Sequence, residues 1–360
     1  MESSIRKTLN KPERNAYIDV LRAFAAYLVV VIHFSQWTAG HHFTDLFSQV
    51  VMAEVRVAVP LFLMTTGFYY DKLVASGRFR WHLIKLLVMA LLSTLLYLTY
   101  SIAIEWHLGT LGELVAQEFR PVDWLSWIVC NKVPSVPHLW YFYAVLYALC
   151  LMRLSDHYGN NRIPYIVAAV LYILLSVSNF LPFIPEYFTR NFLFLAFPYM
   201  MLGRLVAKHQ ARQTSRLDNR RSTLVSICIG SSILVALEAL VHSYFISPDN
   251  PIRDNYFFTL PTATALFLLV LSIHSKPGRT IAGVAHIGFK YSAYIYIFHI
   301  IVGHRVFGLL HSRGYNSVYV ALLLGIPVVY VLTILLSACY VKWLKPLVDK
   351  LCLQPLVKEK

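Results

Sequence analysis

Charge is what this sequence has least of. Only 14 % of its 360 residues are charged, while 58 % are hydrophobic; ordinary globular chains run at about 25 % and roughly 45–50 %. Too little polar surface remains to wrap a soluble core of this size. A soluble two-domain protein, the usual outcome at this length, is therefore excluded. Acidic residues are the scarcer charged class, 18 against 32 Lys and Arg, for a net charge of +14. The excess does not point to a nucleic-acid partner, because the basic residues form no stripe and no RNA-binding signature. Cysteine is sparse and scattered (Cys130, Cys150, Cys228, Cys339 and Cys352). With no C-x-x-C pair, neither a disulfide framework nor a metal site is expected. The sequence also lacks internal repeats and low-complexity tracts, which weighs against a secondary transporter.

Long apolar runs are what it has in abundance. Crossing ~30 Å of hydrocarbon takes roughly 20 helical residues. Candidate spans are 16–36, 55–71, 81–104, 138–153, 163–181, 191–207, 222–246, 256–274, 285–304 and 317–341. In lipid a backbone must satisfy its own polar groups, so runs of this length read as helices. The fold class is all-α, a polytopic transmembrane helix bundle with about ten spanning helices. Its first run, Tyr17 to Trp37, follows Arg6, Lys7, Lys11 and Arg14. It is longer than a signal-peptide core and ends without a small-x-small cleavage site, so it reads as a retained helix.

Orientation follows from the connections. Lys and Arg concentrate in 1–15, 72–80, 153–162, 204–221, 275–284 and 342–360; Arg56, Arg120, Lys132, Arg190, Arg253, Arg305 and Arg313 fall on the other side. The positive-inside rule places the richer set, both termini included, in the cytoplasm. The chain then divides into a cytoplasmic segment 1–15, a membrane domain 16–341 and a cytoplasmic tail 342–360. The external connection 105–137, carrying Trp106, Trp124 and Trp127 with Pro121, Pro134 and Pro137, reads as an interfacial lid. The basic connection 204–221 reads as an anchor beside anionic lipid.

Ionisable groups inside a span cost roughly 2.5–3.5 kcal/mol each on insertion scales, so they mark candidate sites. Arg22 and His33 lie eleven positions apart in the first span, nearly three turns, on one face and about 16 Å apart along the axis. Arg22 then sits near the cytoplasmic side and His33 towards the outside. The plainer alternatives are a snorkelling Arg22 paired with Asp19 and an interfacial His33 satisfied by a carbonyl. His138, behind Pro137, enters its span from the outside at a depth like that of His33, unless it merely caps a helix. Ser292, Tyr296 and His299 form one helical stripe, which can equally be interhelical hydrogen-bond glue. Ser292 and His299 are about 10 Å apart along the helix, too far for a nucleophile and its base.

Together these segments resemble the acyltransferase-3 family of integral membrane acyltransferases. Asp19-Val-Leu-Arg22 with His33 matches the family's N-terminal hallmark. Val59-Pro-Leu-Phe-Leu-Met-Thr-Thr-Gly-Phe68 matches a second, with Thr66 in place of the usual serine; His138-Leu-Trp-Tyr-Phe142 and Ser292-Ala-Tyr-Ile-Tyr-Ile-Phe-His299 match two more. The similarity extends over essentially the whole chain, and it is greatest to members that acetylate enterobacterial common antigen or related surface polysaccharides. It implies a multi-pass protein of the bacterial inner membrane. It also implies transfer of an acetyl or other short acyl group from cytoplasmic acyl-CoA to a hydroxyl of a surface glycan or its lipid-linked precursor. Acyl-CoA is then a co-substrate, and no bound cofactor is expected. On this reading His33 and His138 are catalytic, and Arg22, Arg78 and Arg80 hold the donor's phosphates. Asp19, Ser292, Tyr296 and His299 support them, with His138 or Tyr296 steadying an oxyanion. The family's basic pair is only approximately present, as Arg78 and Arg80 with Lys85. The rival reading is a polysaccharide exporter or flippase without acyl-transfer chemistry.

Overall fold

The computed structural model describes residues 15–35, 46–118, 120–133, 136–157, 162–181, 183, 184, 186–210, 220–248, 252–315 and 317–353. Among these every regular element is a helix. The main rods are α1 (Ala16–Phe34), α2 (Leu46–Val55), α3 (Ala58–Phe68), α4 (Phe79–Leu108), α5 (Trp140–His157), α6 (Ile163–Ser178), α7 (Phe197–Gln210), α8 (Arg221–Val241), α9 (Thr259–Leu271), α10 (Arg279–Ser312) and α11 (Ile326–Cys339).

Six helical stretches are long and apolar enough to cross a membrane: Ala16–Phe34, Phe47–Ala75, Phe79–Leu108, Arg221–Ile246, Arg279–Ser312 and Ala321–Leu351. Each coincides with or overlaps one of the ten expected spans. The other four expected spans fall on shorter rods. The 13 residues of α9 cover only about 20 Å, short of the ~30 Å hydrocarbon layer. Length and composition thus support six crossings, with Ile163–Ser178 and Thr259–Leu271 as shorter apolar helices.

Helix α1 is the axis of the bundle. Asn15 caps it by accepting the N–H groups of Tyr17 (2.9 Å) and Ile18 (3.3 Å), as a side-chain oxygen does at a helix start. Buried residues then follow on most of its surface, from Ile18 to Phe34; a helix apolar all round belongs inside. It packs most extensively on α10, and glycine permits the approach. A Cβ at Gly288 would stand 1.8 Å from the Asp19 carbonyl oxygen. The polar stripe of α10, just beyond Gly288, is thereby pressed against α1. The same device joins α3 to α7, where a Cβ on Gly67 would lie 1.8 Å from the Met200 carbonyl oxygen and one on Gly203 2.0 Å from that of Met64. Small residues are the usual means of close helix approach in lipid, where no hydrophobic drive separates tail from side chain. The outward faces of α4 and α8 expose leucine, isoleucine and valine, the surface expected of lipid-facing rods.

Two connections are seen in detail. Segment 105–137 is largely helical, with α4 ending at Leu108 and short helices at Leu111–Glu118 and Pro121–Cys130. Asn131, in the left-handed region at φ 62°, ends the second and accepts the Phe192 N–H at 3.0 Å. Trp106 and Trp124 stay exposed. In 204–221, Arg204 and Lys208 stand on α7, and Arg204 is buried rather than offered to lipid headgroups. Residues 211–219 lie outside the described residues, as do 1–14 (with Arg6, Lys7, Lys11 and Arg14), Trp37, Pro134 and the tail from 354.

Candidate active site

Three histidines from three elements meet inside the bundle. His33 comes from the last turn of α1, His138 from the 3-10 turn Pro137–Leu139 ahead of α5, and His299 from the stripe of α10. Ring centroids are 5.0 Å apart for His33 and His299, 5.6 Å for His138 and His299, and 6.1 Å for His33 and His138. Pro137 starts the turn that aims His138 inward, its lost N–H being one a helix start leaves unpaired anyway. His299 is fully buried, and its Nδ1 lies 2.8 Å from the Tyr296 carbonyl oxygen and 3.2 Å from that of Ile295. A carbonyl only accepts, so the proton is assigned to Nδ1 and the lone pair to Nε2. The Nε2 atoms of His299 and His138 are both buried without a hydrogen-bond partner among the described residues. No group of His, Cys, Asp or Glu among the described residues has the arrangement to hold a metal ion.

Aromatic side chains fix this cluster. Tyr97 lies edge-on to His138 at 4.6 Å and donates its hydroxyl to the Ile297 carbonyl at 2.6 Å. Tyr296 donates to the carbonyl of His138 and is held by the rings of Phe142 and Tyr141, each 5.3 Å away. The Tyr296 hydroxyl is thus engaged with backbone, so oxyanion stabilisation by it would require that bond to open first.

Tyr296 also lines two chambers. One, of about 270 Å³, is lined by Arg22, Thr65, Thr66, Tyr141, Ser292 and Tyr296 among others. Here Arg22 Nη2 donates to Ser292 Oγ at 3.0 Å, while its Nη1 reaches Asp19 Oδ1 at 3.4 Å. The other, of about 80 Å³, is lined by His33, His138, Arg56, Arg190, Asp254 and Tyr296 among others. The two chambers hold the two ends of the Arg22–His33 face, which the eleven-residue spacing sets about 16 Å apart. Arg78 and Arg80 do not join either chamber. Both are exposed at the start of α4, and Arg78 Nε contacts only Ser76 Oγ, at 3.3 Å, among its hydrogen bonds here. The histidine at the wall of the Arg22 chamber is His82, which the sequence reading did not single out.

Arg56, Arg190 and Asp254 were also passed over, the arginines being counted only as orientation charges. Asp254 Oδ1 lies 2.8 Å from Arg56 Nη1 and its Oδ2 3.1 Å from Arg190 Nη1. Asn191 caps the π-helical turn Phe192–Ala196 by accepting the N–H groups of Leu193 (2.9 Å) and Phe194 (3.1 Å). This cap and the Asn131 bond hold the backbone from which Arg190 projects. A usable signal existed: on the side poor in basic residues, each arginine is an exception that charge counting treats as noise.

A family model described as an acyltransferase domain matches residues 15–342. Among curated proteins, the serine/alanine racemase of Enterococcus gallinarum is 27 % identical over 298 residues, covering 74 % of this chain and 38 % of the racemase. An amino-acid racemase of Enterococcus faecalis is 25 % identical over 287 residues, covering 74 % of this chain and 37 % of that protein. The chain thus spans less than two-fifths of the length of these relatives. No solved structure matches.

Proposed function

The chain belongs to this acyltransferase family and is a multi-pass membrane protein, and we propose that it moves an acetyl or other short acyl group from cytoplasmic acyl-CoA to a hydroxyl of a surface glycan or its lipid-linked precursor. One observation carries the reading: the histidine chamber and the arginine-bearing chamber share Tyr296 in their walls. Such an arrangement suits a donor arriving from one membrane face and an acceptor from the other.

The chemistry follows from the side chains. The acceptor oxygen attacks the thioester carbonyl, a C–O bond forms, the C–S bond breaks and the CoA thiolate leaves. His33 takes the hydroxyl proton and returns it to the thiolate, a task an imidazole performs near neutrality and one worth about 10²–10⁴-fold. A transient acyl-His33 is the covalent variant of the same path. His138 completes the pair, and His299, held through Nδ1 by backbone, fixes the cluster's geometry. The Arg22 chamber is too small for a whole CoA, so only the thioester arm enters it. Arg22 grips the donor inside, and the exposed Arg78 and Arg80 meet phosphates outside.

The two chambers within one bundle also suit the rival reading: passage of a substrate through the bundle without acyl transfer, as in an exporter or flippase. One experiment separates the two. Membranes containing the protein receive radiolabelled acetyl-CoA, and surface glycans from cells with and without the gene are compared by mass spectrometry. Label and mass gain in the glycan support transfer. Glycan export lost with the gene while acetyl-CoA stays intact supports passage.

A further inference from the structure

We infer that a groove between α4, α10 and the helical stretch Ala321–Leu351 holds one anionic glycerophospholipid, with its phosphate at Lys85 and Lys345 and one acyl chain against the helices. The inference concerns binding alone and does not depend on the acyl-transfer reading.

The groove follows from how three rods meet. The Tyr97 hydroxyl ties α4 to α10 by donating to the Ile297 carbonyl at 2.6 Å. Between that tie and the start of α4 lies a space of about 570 Å³, within the usual range of ligand sites. Leu86, Met89, Leu92 and Leu96 form its wall on α4, a stripe at helical spacing. The stretch Ala321–Leu351 runs antiparallel to α10: Gly325 lies against Phe307, and Tyr340 lies 5.0 Å from Tyr294. Residues past Tyr340 therefore return to the level at which α4 begins. His82, Lys85, Lys345 and Asp349 meet there, and the rest of the lining is largely apolar.

Charge and length choose the occupant. Lys345 is paired with Asp349, both side chains being partly exposed, so the pair is weakly held. Lys85 is exposed and lies over the Trp81 ring at 5.4 Å. Two ammoniums against one carboxylate favour an anionic headgroup, for which a basic pocket between membrane helices is a usual seat. Trp81 and the exposed Trp343 mark the same end as headgroup level. From Lys85 to Leu96 the wall is about 16 Å long, close to half of the ~30 Å hydrocarbon layer. The groove thus matches one leaflet, phosphate to chain end. A partner helix about 10 Å across would need roughly 1,200 Å³ over that length, more than twice the space present. His82 also lines the Arg22 chamber, so the headgroup end adjoins the buried site, unlike the open lipid-facing surface of α8.

The test uses the full chain in phosphatidylcholine nanodiscs, doped with photoactivatable phosphatidylglycerol or phosphatidylcholine carrying a diazirine in one acyl chain. Mass spectrometry identifies the labelled peptides. The anionic probe should label 86–96 and 294–298 at least about fivefold more than the zwitterionic one, the factor supplied by one lysine near a headgroup. Lys85→Gln and Lys345→Gln should each cut this labelling by about the same factor. Asp349→Asn, which removes the competing carboxylate, should raise it. Leu96→Trp fills the deep end, keeps every charge and should lower labelling by both probes. A melting curve for each variant separates lost binding from lost folding, and the exposed Lys85 can be replaced without disturbing packing. Equal labelling by the two probes, or a preference that survives in the Lys85→Gln, Lys345→Gln double variant, overturns the site. Stronger competition by unlabelled polyprenyl phosphate than by phosphatidylglycerol overturns the phospholipid and gives the groove to a lipid carrier.

Discussion

Two clusters of arginine and aspartate bracket the α3–α7 pair, and they differ in their surroundings. Beyond the ends of α3 and in the second half of α7, Arg204 serves two acids, and one of them, Asp156, also has the exposed Arg153 at 4.0 Å. Arg204 reaches Asp71 (2.7 Å) and Asp156 (2.7 Å), Tyr70 donates to Asp156 at 2.6 Å, and the guanidinium lies 4.6 Å over the Tyr70 ring. Ahead of both helices, two arginines share Asp254 and line the histidine chamber. The first cluster turns its cation inward among acids and an aromatic ring; the second sets its two arginines on the wall of a cavity. The contrast teaches that buried arginine alone does not mark a site. The presence of a cavity does.

If that distinction holds, the two ends should fail in different ways. The largest effect belongs to the chamber: His33→Ala should lower acyl transfer by about 10²–10⁴-fold and leave thermal unfolding in detergent close to that of the unaltered protein. Retention of more than about a tenth of the rate would remove His33 from proton transfer. At the other end Arg204→Met should do the opposite. It leaves Asp156, whose side chain is 19 % exposed, with the exposed Arg153 at 4.0 Å as its cation, and should destabilise by at most about 3 kcal/mol, the low end for a broken buried pair, because Asp71 is 41 % exposed and screened by solvent. A fluorescence melting curve reads this directly. An unchanged melt with lost activity would make Arg204 part of the site and erase the contrast.

The sequence carried these two ends unequally. The Arg22–His33 face, the His138 turn and the Ser292–Tyr296–His299 stripe were legible because membrane insertion makes polar residues costly, so each stands out from its apolar run. Their convergence was not legible. Helical periodicity gives a face but not the partner it meets, and Gly288, which brings α10 onto α1, has no chemistry to advertise itself. Arg204 was misread because a charge at the end of an apolar run looks the same whether it points to lipid headgroups or back to Asp71 and Asp156. Arg56, Arg190 and Asp254 come from three connections far apart in the chain, and no local pattern joins them. The bounds of two spans met the same limit: in 163–181 and 256–274 composition extends the apolar run beyond helices that stop at Ser178 and Leu271.

Gly288 offers an intermediate test, since it couples packing to the site. Gly288→Ala puts a Cβ 1.8 Å from the Asp19 carbonyl oxygen, a backbone atom that cannot rotate away. Overpacking of this kind costs about 1–3 kcal/mol, and α1 must shift from α10. Stability and transfer should therefore fall together, unlike the single-sided losses at His33 and Arg204. Gly67→Ala should lower stability in the same range, and because α3 carries Thr65 and Thr66 on the wall of the Arg22 chamber, its effect on transfer should show in the apparent acyl-CoA constant rather than in the histidine step. Equal transfer losses in the two variants would mean that the bundle responds as one body.

The smallest effect is expected at Arg22, where the two kinds of arginine role meet in one residue. Arg22 is paired with Asp19, as in the structural cluster, but it also donates to Ser292 and lines a chamber. Arg22→Lys keeps the charge and loses the planar fork, so it should raise the apparent acyl-CoA constant by about tenfold while changing the acceptor constant less. If Arg22 only neutralises Asp19, the paired substitution Asp19→Asn with Arg22→Gln removes both charges and should restore activity. If it grips the donor, the double variant stays inactive, because the phosphates or the thioester arm still lack their partner. Side-chain exposure argues for the second outcome: Asp19 is 5 % and Arg22 26 % exposed, so the acid is sealed against the bundle while the guanidinium keeps an open edge to the chamber. Transfer of radiolabelled acetyl in membranes carrying the single and double variants decides it. Recovery in the double variant would assign Arg22 to the fold, and the donor's grip would then have to be sought at Arg78 and Arg80.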